Sequence, residues 1–237
     1  MLDVRGLHAW YGKSHILHGV DFSVGEGEIV SLLGRNGVGR STTIKAIMGD
    51  VVREGSVQFK GRQLAGLKPH QIANAGLGYV PENRDIFPTL TVRENLLLGQ
   101  KSGGALAGSN AKARWSMEDM FELFPRLRER AEIAGGVLSG GEQQMLTIGR
   151  ALMTNPDLIL IDEATEGLAP LVAKDIWTTL GIIRGEGVAT VVVDKDFRSL
   201  SRIADRMVML SKGTVVFNGT PAELAQKQDL LEQHLGV

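Results

Sequence analysis

Gly34-Arg35-Asn36-Gly37-Val38-Gly39-Arg40-Ser41-Thr42 is the segment whose residue types and spacing point most directly to chemistry. Its glycines let backbone N–H groups curl around phosphate oxygens. A helix expected to start near Ser41 turns its positive end towards the same anion. The Ser41 hydroxyl is of the kind that ligates Mg²⁺. Gly34, Asn36, Gly37, Gly39, Arg40, Ser41 and Thr42 are therefore candidates for binding nucleotide phosphates. The segment departs from G-x-x-x-x-G-K-[ST] at one place, where Arg40 stands for Lys. A compact ammonium is replaced by a wide planar fork, so the expectation is that nucleotide still binds and hydrolysis is slowed. The competing reading is a Gly-rich turn that holds no ligand.

A second candidate is the pair of acids closing the apolar run Leu158-Ile159-Leu160-Ile161-Asp162-Glu163. In a parallel sheet, ligands bind at the carboxyl ends of the strands. Asp162 would then hold Mg²⁺ through water, opposite Ser41. Glu163 would orient or deprotonate an attacking water. A strand that ends in a solvated acidic turn is the alternative, and the upstream phosphate loop weakens it.

These residues need elements to position them. Ile29–Leu33 reads as a compact strand leading into Gly34, with Gly25–Glu28 as a turn before it. Short β-like runs broken by glycine fill residues 1 to about 30. Further strands are expected at Val57–Lys60, Leu77–Val80, Leu158–Ile161, Val188–Val193, Met207–Leu210 and Thr214–Phe217. Helices are expected at Glu94–Leu98, Met117–Leu127, from Gly141 to about Met153, from Pro170 to about Arg184, and at Pro221–Leu235. Lys101–Asn110 reads as a polar Gly-rich loop. Strands alternating with helices imply an α/β fold with a mostly parallel sheet, and residues of about 90–137 read as an inserted helical subdomain.

Composition narrows the function. The 237 residues carry 26 basic and 27 acidic side chains, a net charge of -1, so no excess of positive charge invites nucleic acid or an anionic bilayer. No cysteine is present, which removes disulfide scaffolds and thiolate metal sites. No secretory leader is visible at the N-terminus, and the longest apolar runs are too short to cross a bilayer. Membrane association would go through partners. The histidines at 8, 15, 18, 70 and 234 show no metal-ligand spacing and read as ordinary surface or core residues; Trp10, Trp115 and Trp177 read as packing residues.

Leu138-Ser139-Gly140-Gly141-Glu142-Gln143-Gln144 resembles the LSGGQ-type signature of ABC ATPases and lies between the two motifs above, as in that family. The resemblance runs through nearly the whole chain. It implies one ABC ATPase domain over 1–237 of the P-loop NTPase class. Residues 1–89 and 138–237 would form the α/β core with an N-terminal antiparallel β subdomain. It implies ATP and Mg²⁺, with Glu163 and Arg40 in the catalytic centre. Ser139, Gly140 and Gly141 would cap the γ-phosphate bound by an opposite subunit, a role suited to glycine N–H groups at a helix N-terminus. Tyr11 matches the aromatic that stacks on adenine, with a core tyrosine as the alternative. Glu82, in Tyr79-Val80-Pro81-Glu82, falls where most members have the Gln that senses Mg²⁺ and the membrane subunit. Lys195 lies where many carry a switch histidine, and Gly167–Pro170 resembles the loop after the catalytic Glu.

Within the family the chain resembles the second ATP-binding subunit of branched-chain amino-acid uptake transporters, or their urea and amide relatives. Gly78–Glu82, Ile86–Val92, Ser139–Leu146, Asp162–Pro170 and the ending Leu235-Gly236-Val237 carry that likeness. Glu82 and Lys195 fit the subgroup; Arg40 does not. The implied assembly is a head-to-tail dimer with a second ATPase subunit, a copy of this chain or a related one. Two membrane-spanning permease subunits and an external solute-binding protein would complete it, at the cytoplasmic face of the inner or plasma membrane. A nucleotide-binding chain that clamps while its partner hydrolyses is the main rival. A DNA-repair or translation ABC protein is the third reading, disfavoured by the absence of a long coiled coil, second cassette or basic patch.

Overall fold

The computed structural model describes residues 1–100 and 114–236. The loop expected over Lys101–Asn110, and Val237, lie outside the described residues. The first half contains β1 (Leu2–Tyr11), β2 (Ser14–Val24), β3 (Ile29–Leu33), α1 (Arg40–Met48), β4 (Val52–Phe59), β5 (Arg62–Gln63), α2 (Pro69–Asn74), β6 (Leu77–Val80) and α3 (Val92–Gly99). The second contains α4 (Met117–Leu123), α5 (Pro125–Glu129), a 3₁₀ turn (Gly135–Val137), α6 (Gly140–Leu152), β7 (Leu158–Asp162), α7 (Pro170–Gly185) and β8 (Ala189–Val193). It closes with α8 (Phe197–Ile203), β9 (Arg206–Ser211), β10 (Thr214–Gly219), α9 (Pro221–Ala225) and α10 (Gln228–His234).

Six strands form one sheet in the order β10-β9-β3-β8-β7-β6. β9, β3, β8, β7 and β6 run parallel and β10 antiparallel to β9. The strands β3, β7 and β8 are buried at every position, as continuous apolar runs in a sheet covered on both faces should be. Their alternate side chains enter two cores. Ile29, Leu33, Ile159, Ile161 and Val192 pack with Val92, Leu96, Phe121, Phe124, Ile148, Ile176 and Leu180 from the helices on one face. Val30, Leu32, Leu158, Leu160, Val191 and Val193 pack with Ile44 and Ile47 of α1 and with the strands β1, β2 and β4 on the other. Those strands belong to a second, antiparallel sheet ordered β2-β1-β4-β5. The predicted α/β architecture with its N-terminal antiparallel sheet is therefore present.

Four local expectations change. The first thirty residues hold two long strands, of 10 and 11 residues, in place of short runs; Gly6, at φ 53°, interrupts the ladder without ending it. The single helix expected over Met117–Leu127 is two, because Pro125 forces Phe124 out of the helical region to φ -128°, ψ 76°. The closing helix also divides, with Lys227 at φ -105°, ψ 64°, where its ammonium lies 5.4 Å from the Phe217 ring centroid. The helices α2 and α8 had no periodic signal long enough to predict.

Hydrogen bonding fixes the loop that leads from β6 to α3. Asn95 is fully buried and its amide nitrogen donates to the carbonyls of Phe87, Leu90 and Thr91, while its oxygen accepts from the Phe87 N–H. Thr91 caps α3 in a reciprocal box with Glu94.

Leu160 sits in the middle of β7, between β8 and β6, with no exposed surface. Leu160→Ala is expected to lower folding stability by about 2–5 kcal/mol, read as a reduced midpoint in urea with an unchanged slope.

Candidate functional site

The carboxyl ends of β3, β8, β7 and β6 lie side by side, because these strands are parallel neighbours in that order. Each delivers one part of the site. Strand β3 leads into the phosphate loop, β8 into Asp194-Lys195, β7 into Asp162-Glu163, and β6 into Glu82. The sequence predicts these residues from separate motifs, and the sheet brings them to one edge.

The loop backbone enters the left-handed region at Gly34, Gly37 and Gly39, with φ of 141°, 80° and 107°. At Gly34 space is also limiting, since a Cβ would lie 2.5 Å from the Leu210 carbonyl oxygen. Gly39 is the N-cap of α1, and no side chain caps that helix, so its first N–H groups remain available to an anion. Thr42 is buried in the first turn.

Arg40 is only 5% exposed, and its fork is held on three sides. Nη2 donates to Asn36 Oδ1 at 2.9 Å, Nη1 donates to the Asp194 carbonyl at 3.2 Å, and Nη2 lies 3.7 Å from Glu163 Oε1. Burial pulls its pKa below the usual guanidinium range, opposed by the charges of Asp162, Asp194, Glu166 and Glu82. Ser41 Oγ donates to Asp162 Oδ1 at 2.8 Å. Asp162 is fully buried, and its Oδ2 has no hydrogen-bond partner. Burial raises its pKa, and nearby Glu82 adds to the effect, while the Ser41 hydrogen bond works against it.

Glu163 has φ 52°, a left-handed conformation that costs a non-glycine residue free energy. Its carboxylate, with those of Glu82 and Glu166, offers oxygens within 4.8 Å of one another. Like charges at that spacing repel, and two of the three are paired with cations. Glu163 faces Arg40, and Glu166 Oε1 meets Lys195 Nζ at 2.8 Å. That hydrogen bond raises the pKa of the exposed Lys195, which stays charged.

Sequence reasoning passed over Asp194. It is 2% exposed, and its Oδ2 accepts from both the backbone N–H and the hydroxyl of Thr165 at 2.8 Å. The end of β8 is thereby tied to the segment after β7. An apolar strand closing on an acid, the pattern that singled out Asp162, also precedes Asp194 and could have found it.

Ser139 caps α6, accepting from the Glu142 N–H while its own N–H donates to the Glu142 carboxylate. Among the described residues these bonds stay within the first turn, and none reaches the phosphate loop. Gly140 and Gly141 sit in tight surroundings. A Cβ at 140 would come 3.2 Å from Arg84 Nη1, and one at 141 would come 2.5 Å from Val172 Cγ1. Arg84 itself adopts φ 65° and reaches the Glu166 carbonyl at 3.5 Å. Tyr11 ends β1 with 46% of its surface exposed, free to receive a flat ligand and not a core residue.

The sequence matches the model of the ABC transporter family over residues 17–166. The chain belongs to that family, as an ATP-binding subunit. It is 38% identical to BraG, the high-affinity branched-chain amino acid transport ATP-binding protein of Pseudomonas aeruginosa, over all of both chains. It is 30% identical to LptB, the lipopolysaccharide export system ATP-binding protein of Escherichia coli, over 99% of this chain and 97% of LptB. It also superposes on an ATP-binding cassette of an ABC transporter crystallised in its ADP conformation, with TM-score 0.80, 25% identity and coverage of 98% and 97%. No described helix is long and apolar enough to cross a membrane.

Burial makes Asp162 hold its proton more tightly in the folded chain than in the unfolded one. A carboxyl that binds its proton more tightly when folded loses stability as pH rises through its folded pKa, so its charge opposes folding at neutral pH. Asp162→Asn is expected to raise the melting temperature of the nucleotide-free chain by a few degrees and to abolish the Mg²⁺-dependent part of nucleotide affinity. Thermal melts and fluorescent-nucleotide titrations, each with and without Mg²⁺, would read both effects.

Proposed function

We propose that this subunit hydrolyses ATP to drive the import of a small solute of the branched-chain amino-acid class. The carrying observation is the hydrogen bond between Ser41 and Asp162, which joins the phosphate cradle to an acid whose outer oxygen is buried and unmatched. An unmet buried polar group costs about 1–3 kcal/mol. The donor set fits a Mg²⁺ ion, with the Ser41 hydroxyl as a direct ligand, Asp162 holding through water, and Glu82 approaching from the end of β6. Bound there, Mg²⁺ would offset charge on the β and γ phosphates.

The chain's own groups divide the remaining work. Backbone N–H groups from Gly34 to Thr42, with the Asn36 side chain, hold the phosphates, and Tyr11 stacks on adenine. Glu163 takes a proton from the attacking water as its oxygen bonds to the γ-phosphorus and the bond to the bridging oxygen breaks. Lys195 stands beside that phosphate. Ser139, Gly140 and Gly141 close over the nucleotide of a second subunit, a copy of this chain or a related ATPase, in a head-to-tail dimer. Nucleotide favours the closed dimer by its greater affinity for that state, and closure moves two permease subunits supplied with solute by an external binding protein. The chain then sits at the cytoplasmic face of the inner or plasma membrane, peripherally. The solute class is supported by the greater identity to BraG, 38% against 30% for the export-system subunit LptB, and import by the resemblance of the sequence motifs to uptake transporters.

The geometry of Arg40 favours a second reading. Its fork is committed to Asn36, the Asp194 carbonyl and Glu163, so the cation expected on phosphate is partly spent on the base. Under that reading the chain binds ATP and clamps the dimer while a partner hydrolyses.

Steady-state phosphate release by the purified chain separates the two. Glu163→Gln is expected to lower turnover by about 10²–10⁴-fold while ATP binding persists. Arg40→Lys is expected to raise it several-fold, because an ammonium reaches phosphate without occupying Glu163. Wild-type turnover no greater than that of Glu163→Gln would favour the clamp, and absence of ATP binding at millimolar nucleotide would defeat both readings.

A further inference from the structure

The outer face of the antiparallel sheet gathers side chains that nucleotide chemistry does not use. His8 lies opposite His18 on β2 and opposite Glu54 on β4, and Trp10 lies opposite His15 and Val52. The ring nitrogens His8 Nδ1 and His15 Nε2 face each other at 3.0 Å. Trp10 stacks on His15 with ring centroids 4.4 Å apart and planes 12° from parallel, and on His8 at 6.0 Å and 22°. His18 packs on His15 at 4.1 Å. Ring packing thus holds two imidazoles nitrogen to nitrogen on a solvent-facing surface.

The two facing imidazole nitrogens share a hydrogen bond as they stand, and a turn of the two rings would aim both lone pairs at one metal ion beside the line that joins them. Neutral imidazole is a good ligand for late first-row divalent ions. With metal–nitrogen bonds of about 2.0–2.1 Å, two ligands at a right angle are about 2.9 Å apart, and two tetrahedral ligands about 3.3 Å apart. The observed 3.0 Å is a hydrogen-bond distance between rings set nearly end to end, with centroids 5.1 Å apart; a turn of the rings converges both lone pairs on one ion, and the divalent series places Cu²⁺ highest for such ligands, above Ni²⁺.

We propose that His8 and His15 form a surface site for Cu²⁺ or Ni²⁺, with water filling the other positions. Each histidine gives one nitrogen lone pair, and the hydrogen-bonding proton passes to the other nitrogen of its own ring, by way of solvent, as the ion enters. Glu54, in register with His8 on the same face, supplies nearby negative charge. The site joins β1 to β2 just below the turn from Tyr11 to Ser14, so the ion would fasten the hairpin that ends in Tyr11. The metal site itself does not depend on what Tyr11 binds.

The test uses the full chain without a polyhistidine tag, titrated calorimetrically with Cu²⁺ and separately with Ni²⁺ in a non-coordinating buffer. One equivalent should bind with micromolar affinity, and the electron paramagnetic resonance spectrum of the Cu²⁺ form should show coupling to two imidazole nitrogens. His8→Ala and His15→Ala should each weaken binding by about tenfold or more, while His70→Ala, at an exposed histidine elsewhere, should leave it unchanged. Because His15 is exposed and His8 only half-buried, circular dichroism should show the variants folded. Failure of the wild-type chain to take up one equivalent, or binding in His8→Ala and His15→Ala equal to wild type, would overturn the assignment.

Discussion

A carboxylate at the end of a strand buried on both faces has lost its water, and whatever surrounds it must supply what water would have given. Asp162 is in that position, and one of its oxygens is met by the Ser41 hydroxyl while the other is not met. Much of the site can be read as a response to that charge. The strand β7 carries it between β8 and β6, the loop after β3 brings the start of α1 against it, and Arg40 is drawn into the interior among five acids. Burial makes the carboxyl a weaker acid and the guanidinium a weaker base, the same desolvation acting with opposite sign on each. Under the function proposed above, a dication and a polyanion would supply what Asp162 and the open N–H groups of the loop lack.

The same economy explains the outer charges. Three glutamates converge from β6 and from the segment after β7. They are tolerable because Arg40 and Lys195 are paired with two of them. Glu163 is further constrained by a left-handed backbone that a relaxed loop would avoid. Thr165 pins the following segment to Asp194 by two hydrogen bonds, so Glu163 is positioned by the ends of two strands. A displacement of either strand end would therefore reach Glu163 and the Lys195–Glu166 pair together.

What could be read in the sequence was what depends on local pattern. Apolar runs as short as Ile29–Leu33 and Leu158–Ile161 specify strands buried on both faces, and a glycine-rich turn between a strand and a helix specifies an anion cradle. Glu82 and Glu163 were placed together only through the family resemblance, and the approach of Glu166 to both could not be read, because it depends on strand order. The meeting of His8, His15 and His18 is hidden for a related reason. It follows from an antiparallel register that shifts near Gly6 and again between Ala9 and Trp10, and a shift of one residue sends a side chain to the opposite face. Pro125 announced its helix break, and a closer reading of the sequence would have used it. The break at Lys227 carries no such mark, since it accompanies a contact with Phe217 from a neighbouring strand.

The glycines that open α6 are confined from within their own subunit. The space a methyl group would need at 141 is occupied by Val172 of α7, and at 140 it adjoins the Arg84 guanidinium. Descendants of this chain could therefore enlarge position 141 only by first trimming position 172, whatever the nucleotide demands. The two sites should drift as a pair through evolution, and a lineage that had lost the valine would be the one in which alanine at 141 first became viable.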